Sequence, residues 1–359
     1  KIENEKLIVL MNKNKITFNN LRSIVNDLKN IKVHVVGDTI IDTYTKTNLI
    51  GGQTKTPTIS VLYQNKKEYI GGAGIVAQHL NSAGAKVTFS SVLDNDHYKD
   101  FVKNSFKNLK IKFLPIIDNT RPTTNKNVFT VEDYKILKVD TLDNQPISQI
   151  ILSKLLKQIN NAKSDIFILS DFRHGIFNNN SIDQIIKSCG KRVFKAADSQ
   201  VATRWGNITD FKNFNLITPN ERETRFSLAD QDSSISELSR RLKDKANFKS
   251  LILKLGSRGI FCVDYNKKNN KKKNNDLNDA FSIPSFVNNV VDAVGSGDAL
   301  LAYSSLAMFK TKNLVIAGII GSIAAACECE VEGNIPIETG DIFKKINEIE
   351  KQLKYETRS

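Results

Sequence analysis

Apolar residues follow two rhythms along this chain. Near-continuous apolar runs at 31–36, 86–92, 165–170, 194–198 and 250–255 read as strands buried on both faces. Helical periodicity lies between and around them. Residues 19–28 bring Leu21, Ile24, Val25 and Leu28 to one face, and 78–83 follows a cluster of glycines. Residues 299–307 are an unbroken helix-forming run, 318–327 a helix of small residues, and 341–355 a charged surface helix. This alternation predicts an α/β domain with a doubly wound, mostly parallel sheet. Two regions break the rhythm: alternation at 58–63 within a polar, β-prone stretch, and the pair 127–131 and 135–139 around Glu132-Asp133. They predict a small separate β-layer drawn from about 44–70 and 120–140.

Candidate chemistry gathers where strands end and helices begin. Gly295-Ser296-Gly297-Asp298 opens the 299–307 helix, and glycines there leave outward-pointing N–H groups suited to an anion. Asp298, in the first turn, can take a proton from a hydroxyl held beside that anion, or serve only as an N-cap. Asp38 and Asp42, at a strand end, can bind a metal, form an acid/base pair, grip hydroxyls or simply face solvent. Gly72, Gly74 and Ala77 satisfy the dinucleotide fingerprint, with Asp94 about 20 residues on. That motif normally follows a core strand, whereas here the β-layer precedes it. Asn220 and Glu223 fall one helical turn apart, as an oxygen pair for hydrated Mg²⁺, a capping box, or both. Lys254, Gly256 and Gly259 mark a strand ending in a glycine turn.

Composition narrows the partners. A formal charge of +14 over 359 residues invites nucleic acid, but the lysines are scattered. The densest cluster, KKNNKKKNN at 267–275, lacks aromatics and falls where a hairpin loop is expected. An anionic small-molecule substrate is the more economical partner, with neither nucleic acid nor membrane expected. Cys189, Cys262, Cys327 and Cys329 lack zinc spacing and read as free thiols of a cytoplasmic protein, with a redox role for the C-E-C pair as the alternative. The chain opens on Lys1, so a fragment or processed chain with a possible upstream fused domain is expected.

With these residues in view, DAVGSGD at 292–298 resembles the signature of the ribokinase-like (PfkB) family of carbohydrate kinases, with Ser296 where Ala is commonest. The resemblance implies a doubly wound three-layer ribokinase-like domain with a β-sheet lid over 31–359, preceded by a 1–30 extension or linker. It implies that Asp298 is the catalytic base and that the amides of Gly295, Ser296 and Gly297 form an anion hole. Asp38 and Asp42 would hold the sugar, and Gly71 and Gly72 would let it approach the backbone. Lys254, Gly256 and Gly259 would line the ATP site, and Asn220 and Glu223 would hold Mg²⁺ through water. A monovalent cation is a further candidate, and a homodimer through the lid is expected.

The stretch Arg121-Pro122-Thr123-Thr124-Asn125-Lys126 resembles the R-P-T-T-x-K of the heptose-phosphate kinase branch. That places Arg121 and Lys126 against a phosphate already on the sugar, with Asp171 at the substrate. Ile75 replaces a common Asn, His174 replaces Lys, and Asp198-Ser199-Gln200 stands for Asp-Pro-Lys. The expected reaction moves the γ-phosphoryl of ATP to the anomeric hydroxyl of a heptose 7-phosphate-like sugar. The alternatives are a kinase for another sugar or a nucleoside, and a non-catalytic sugar- or nucleotide-binding module.

Overall fold

The apolar runs become the centre of one sheet. The computed structural model describes residues 2–50, 58–132, 134–202, 204–266 and 279–356. Its strands are β1 (Lys32–Gly37), β2 (Thr39–Leu49), β3 (Val61–Gly72), β4 (Lys86–Leu93), β5 (Lys112–Ile117), β6 (Thr124–Val131) and β7 (Tyr134–Thr141). These are followed by β8 (Ile166–Asp171), β9 (Phe194–Ser199), β10 (Leu216–Ile217), β11 (Ser250–Lys254), β12 (Ile260–Asp264) and β13 (Ala280–Ile283). Nine form a sheet in the order β13-β12-β11-β10-β9-β8-β1-β4-β5. Pairs from β5 to β11 are parallel, and β12 and β13 add an antiparallel edge.

Period-two alternation divides the core into layers. Ile166 and Ile168 of β8 face one apolar cluster, shared with the helices Ala73–Ser82, Ser296–Thr311 and Leu314–Cys329. Phe167 and Leu169 face the other, shared with the helices Gln149–Asn160, Ile182–Ser188 and Ile235–Ala246. The doubly wound three-layer expectation is met. The strand β5 escaped the sequence pattern because Pro115 interrupts it. It lies at the sheet edge, where a missing N–H is tolerated.

The second sheet is the separate β-layer, in the order β3-β2-β6-β7. The chain crosses into it at Asp38, between β1 and β2. Gly71 and Gly72 end β3 in this layer and Gly72 caps the helix Ala73–Ser82, so the glycine cluster does not follow a core strand and the dinucleotide reading falls. Of the alternating stretch 58–63, only residues from Val61 onward are in a strand. The hairpin loop expected at 267–275, and Asp133, lie outside the described residues.

Two helices precede β1, Ile2–Lys13 and Phe18–Asn26. A capping box between Thr17 and Asn20 starts the second, and Leu21, Val25 and Leu28 are fully buried in the first cluster. No helix among the described residues is long and apolar enough to cross a membrane, and all four cysteines are free. Leu21→Ala is expected to cost about 2–5 kcal/mol in denaturant unfolding. A loss near zero would mean that this helix is not part of the core.

Candidate active site

Residues just past the C-terminal ends of four parallel strands, Phe172, Gln200, Asn220 and Gly256, line a cavity of ≈ 780 Å³ beneath the lid. Ligands of open α/β sheets gather at this edge. The helix Ser296–Thr311 starts on the same cavity, with Gly295 as its N-cap at φ 85°. Only glycine suits this position. A Cβ there would lie 2.6 Å from Asn334 Oδ1 and 2.8 Å from Glu328 Oε1. Asp298 lies buried in the first helical turn and faces the cavity.

The lid supplies the opposite wall. Asp42 of β2 pairs in register with Lys126 of β6, and both line the cavity with Lys135 and Lys138 of β7. The Asn334 side-chain amide donates to Asp42 Oδ2 at 2.5 Å, and the Tyr44 hydroxyl donates to Asp292 at 3.2 Å. A Cβ on Gly71 would lie 2.1 Å from Asp42 Oδ2, so the bare backbone makes room for this carboxylate.

Charge in the cavity is unbalanced. Lys254 Nζ, on a side chain 14 % exposed, donates to Asp198 Oδ2 at 2.7 Å and packs against the Gly297 backbone. Burial pushes the Asp298 carboxyl up to about 8. Asp198 adds to the rise, Lys254 opposes it, and Asp42 and Glu223 push further. Burial and then Asp198 raise Glu223 well above the carboxylate range. Burial lifts Asp42 to about 6 against the pull of Lys126 and Lys138. Asp198, Glu223 and Asp298 thus all act on one ammonium, that of Lys254. Beside it, sharing Lys254, Gly256, Ala293, Ser296 and Gly297, lies a cavity of ≈ 510 Å³ walled by Ile260, Val287, Leu300 and Ala326. Such an apolar slot opening onto a helix N-terminus fits the base and phosphates of a nucleotide.

Three comparisons bear on this geometry. The model of the "pfkB family carbohydrate kinase" matches residues 30–339. The chain belongs to the PfkB family of carbohydrate kinases. As a PfkB protein it is a phosphotransferase acting on a sugar hydroxyl. Two curated relatives are named "Bifunctional protein HldE". That of Nitratiruptor sp. is 24 % identical over 90 % of this chain and 66 % of its own length. That of Bradyrhizobium diazoefficiens is 25 % identical over 87 % and 62 %. The chain therefore spans about two-thirds of the length of such relatives. Among solved structures, phosphofructokinase-2 from Escherichia coli in complex with potassium superposes with a TM-score of 0.73. It is 14 % identical, over 89 % of this chain and 99 % of that one. Arabidopsis thaliana ribokinase complexed with ribose and ATP gives 0.67 at 17 % identity, over 88 % and 99 %. These two show the PfkB fold.

The structure gathers some of the expected PfkB site residues and not others. Asp42, Gly72, Lys126, Asn220, Lys254, Gly256, Gly295, Ser296, Gly297 and Asp298 share the first cavity, and Gly259 lines the second. Asp38 does not reach it. Its carboxylate turns into a recess and accepts from the Phe172 and His174 amides at 3.0 and 3.3 Å. Arg121 is fully engaged beside it, with Asp118 at 3.0 Å and the carbonyls of His174, Gln145 and Pro146. Asp171 is buried against Arg173 and Ser199, away from the cavity. Asn220 and Glu223 form the capping box, at 2.7 and 2.8 Å, with Asn220 on the cavity wall and Glu223 buried behind it.

Of the three departures, Ile75 is wholly buried off the cavity, and Gln200 lines it. His174 is buried, and burial lowers its ring to about 4, so it carries no charge toward an anion. Tyr44, Lys135, Lys138, Asn334 and Glu328 were missed. The two lysines sit in the 135–139 stretch of the expected β-layer, whereas nothing in the sequence marks Asn334 or Glu328. Lys254→Met removes the cation that holds Asp298 down. The acid limb of the pH–rate profile should then move upward by about 1–3 units. An unmoved limb would separate Lys254 from Asp298.

Proposed function

We propose that this chain moves the γ-phosphoryl of ATP to a hydroxyl of a sugar phosphate, a heptose 7-phosphate-like acceptor taken at its anomeric hydroxyl. The observation carrying this reading is that Asp42 and Asp298 face one cavity from opposite walls, with a glycine-opened helix N-terminus beside Asp298. Lys126, Lys135 and Lys138 stand at the lid side, where a phosphate already on the acceptor would meet positive charge.

In this mechanism Asp42, held by Asn334, accepts hydrogen bonds from acceptor hydroxyls and fixes their orientation. Asp298, when ionised, removes the proton of the attacking hydroxyl. The amides of Gly295, Ser296 and Gly297, with Lys254, receive negative charge on the transferring group. A divalent cation entering with the nucleotide would meet Asn220 on the cavity wall through water, and would neutralise phosphate charge, with Glu223 holding Asn220 from behind. The lid keeps water, the competing acceptor, out of the cavity.

The lid also leaves Tyr63, Tyr134, Leu137 and Val139 exposed, and the strand register puts them on the one face of its sheet that lies opposite Asp42. A second copy of this chain, lid against lid, is the partner that buries them. The mass in solution should be that of a dimer, and Tyr63→Lys with Tyr134→Lys should give monomers. A native monomer at all concentrations would contradict this.

Sugar-dependent ADP release from Mg-ATP, over a panel of sugars, their phosphates and nucleosides, tests the activity. Phosphorylated seven-carbon sugars should be the best substrates. Binding without turnover would favour a non-catalytic module, and a preferred nucleoside would replace the acceptor class. Asp298→Asn should lower kcat by about 10²–10⁴ with ATP binding retained. It should also raise Tm at pH 8. The folded pKa lies above the unfolded value, so the stability tied to that proton is full below the ordinary carboxylate pKa and lost as pH rises toward about 8. Full turnover by this variant would remove the base assignment.

A further inference from the structure

Glu328 lies near the end of the helix Leu314–Cys329 at 0 % exposure, and neither carboxyl oxygen has a hydrogen-bond partner. The backbone amide of Ile335, which donates to the Gly333 carbonyl at 3.0 Å, also faces the carboxyl and offsets part of the rise described next. The charged groups around it are of like sign, Asp298 in the first turn of the neighbouring helix and Asp292 in the loop before it. Burial first, then these carboxylates, push the Glu328 carboxyl up to about 8.

A second orphan sits beside it. Asn334 is buried, and its Nδ2 faces Asp42 Oδ2 at 2.5 Å. Only the N–H end of an amide can face a carboxylate, so Oδ1 must point the other way, and it has no partner. Asn334 Oδ1 and Glu328 Oε1 both abut Gly295, at 2.6 and 2.8 Å from where its Cβ would stand. Two buried acceptors with no donor between them are a costly arrangement. One proton resolves both.

We propose that Glu328 is held as a neutral carboxylic acid whose O–H donates to Asn334 Oδ1, locking the amide that grips Asp42. Glu328 is thereby a positioning residue for the sugar acceptor, a role that rests on the carbohydrate-kinase reading above. A buried acid kept neutral can serve as a donor that no carboxylate could be. Without that proton nothing holds Oδ1 away from Asp42, and an amide turned end for end would set oxygen against oxygen.

Three variants and one spectrum test this. Glu328→Leu should raise the acceptor KM about tenfold, the loss expected for one hydrogen bond serving a charged group, with kcat and the ATP KM within about twofold. Glu328→Gln keeps an N–H donor and should restore the native acceptor KM. It should also abolish the rise in acceptor KM that the native enzyme shows as pH passes about 8. Asn334→Ala should match Glu328→Leu, and the double variant should be no worse than either single one. An infrared difference spectrum, native minus Glu328→Gln, should show a protonated carboxyl C=O band at neutral pH.

A carboxylate band instead, with Gln as harmful as Leu, would overturn the proposal in favour of a cation bridging the two oxygens. A native KM in Glu328→Leu would overturn it as well. If Glu328→Leu does not fold, the spectrum and Asn334→Ala still decide. The spectrum needs no turnover, so the protonation claim fails separately from the kinase reading, which fails when the native enzyme phosphorylates no sugar.

Discussion

One ammonium is asked to balance too many carboxylates. Lys254 bonds Asp198 at 2.7 Å, and Glu223 and Asp298 are close enough to feel both. Charges of like sign are not gathered out of water without a reason, because each one destabilises the fold unless protonated or paired. Burial and the neighbouring carboxylates favour the neutral forms of Glu223 and Asp298, which lessens the cost of gathering them. In the proposed reaction Asp298 must be ionised to act as a base.

The fold exists to bring that cluster to one place. Parallel strands deliver Phe172, Gln200, Asn220 and Gly256 along a single sheet edge, and the helix after Gly295 starts on the same space. The chain then leaves the main sheet at Asp38 and builds a roof from β2, β3, β6 and β7. Because the roof hangs from the same segment that carries Asp42, any movement of the lid also moves that carboxylate.

Much of this was legible from the residues. Runs of apolar positions are an unambiguous mark of strands covered on both sides, and they located β1, β4, β8, β9 and β11 within a residue or so. The lid announced itself by breaking the βα rhythm. Local turn chemistry located Gly295 and Asp298, because a helix mouth is a short-range feature. What the sequence did not show is where a polar side chain points after the chain turns. Asp38 and Asp42 would share a face on one straight strand, but the crossing at Asp38 sends its carboxylate into a recess beside Arg121. Arg121 looked like an anion ligand, yet its fork is spent on Asp118 and three carbonyls. Asn334 and Glu328 lie far along the chain from Asp42, and only tertiary packing brings them together.

The claim on which the account turns is that Asp298 sits among uncompensated buried carboxylates beside a nucleotide site. Its own titration reads this directly, by NMR of the side-chain carboxyl carbon in aspartate-labelled protein, assigned with Asp298→Asn. The account predicts a midpoint near 8 in the free enzyme that falls by a unit or more in Asp198→Asn, roughly the effect of removing one nearby like charge. A midpoint in the ordinary carboxylate range, unmoved by Asp198→Asn, would contradict it.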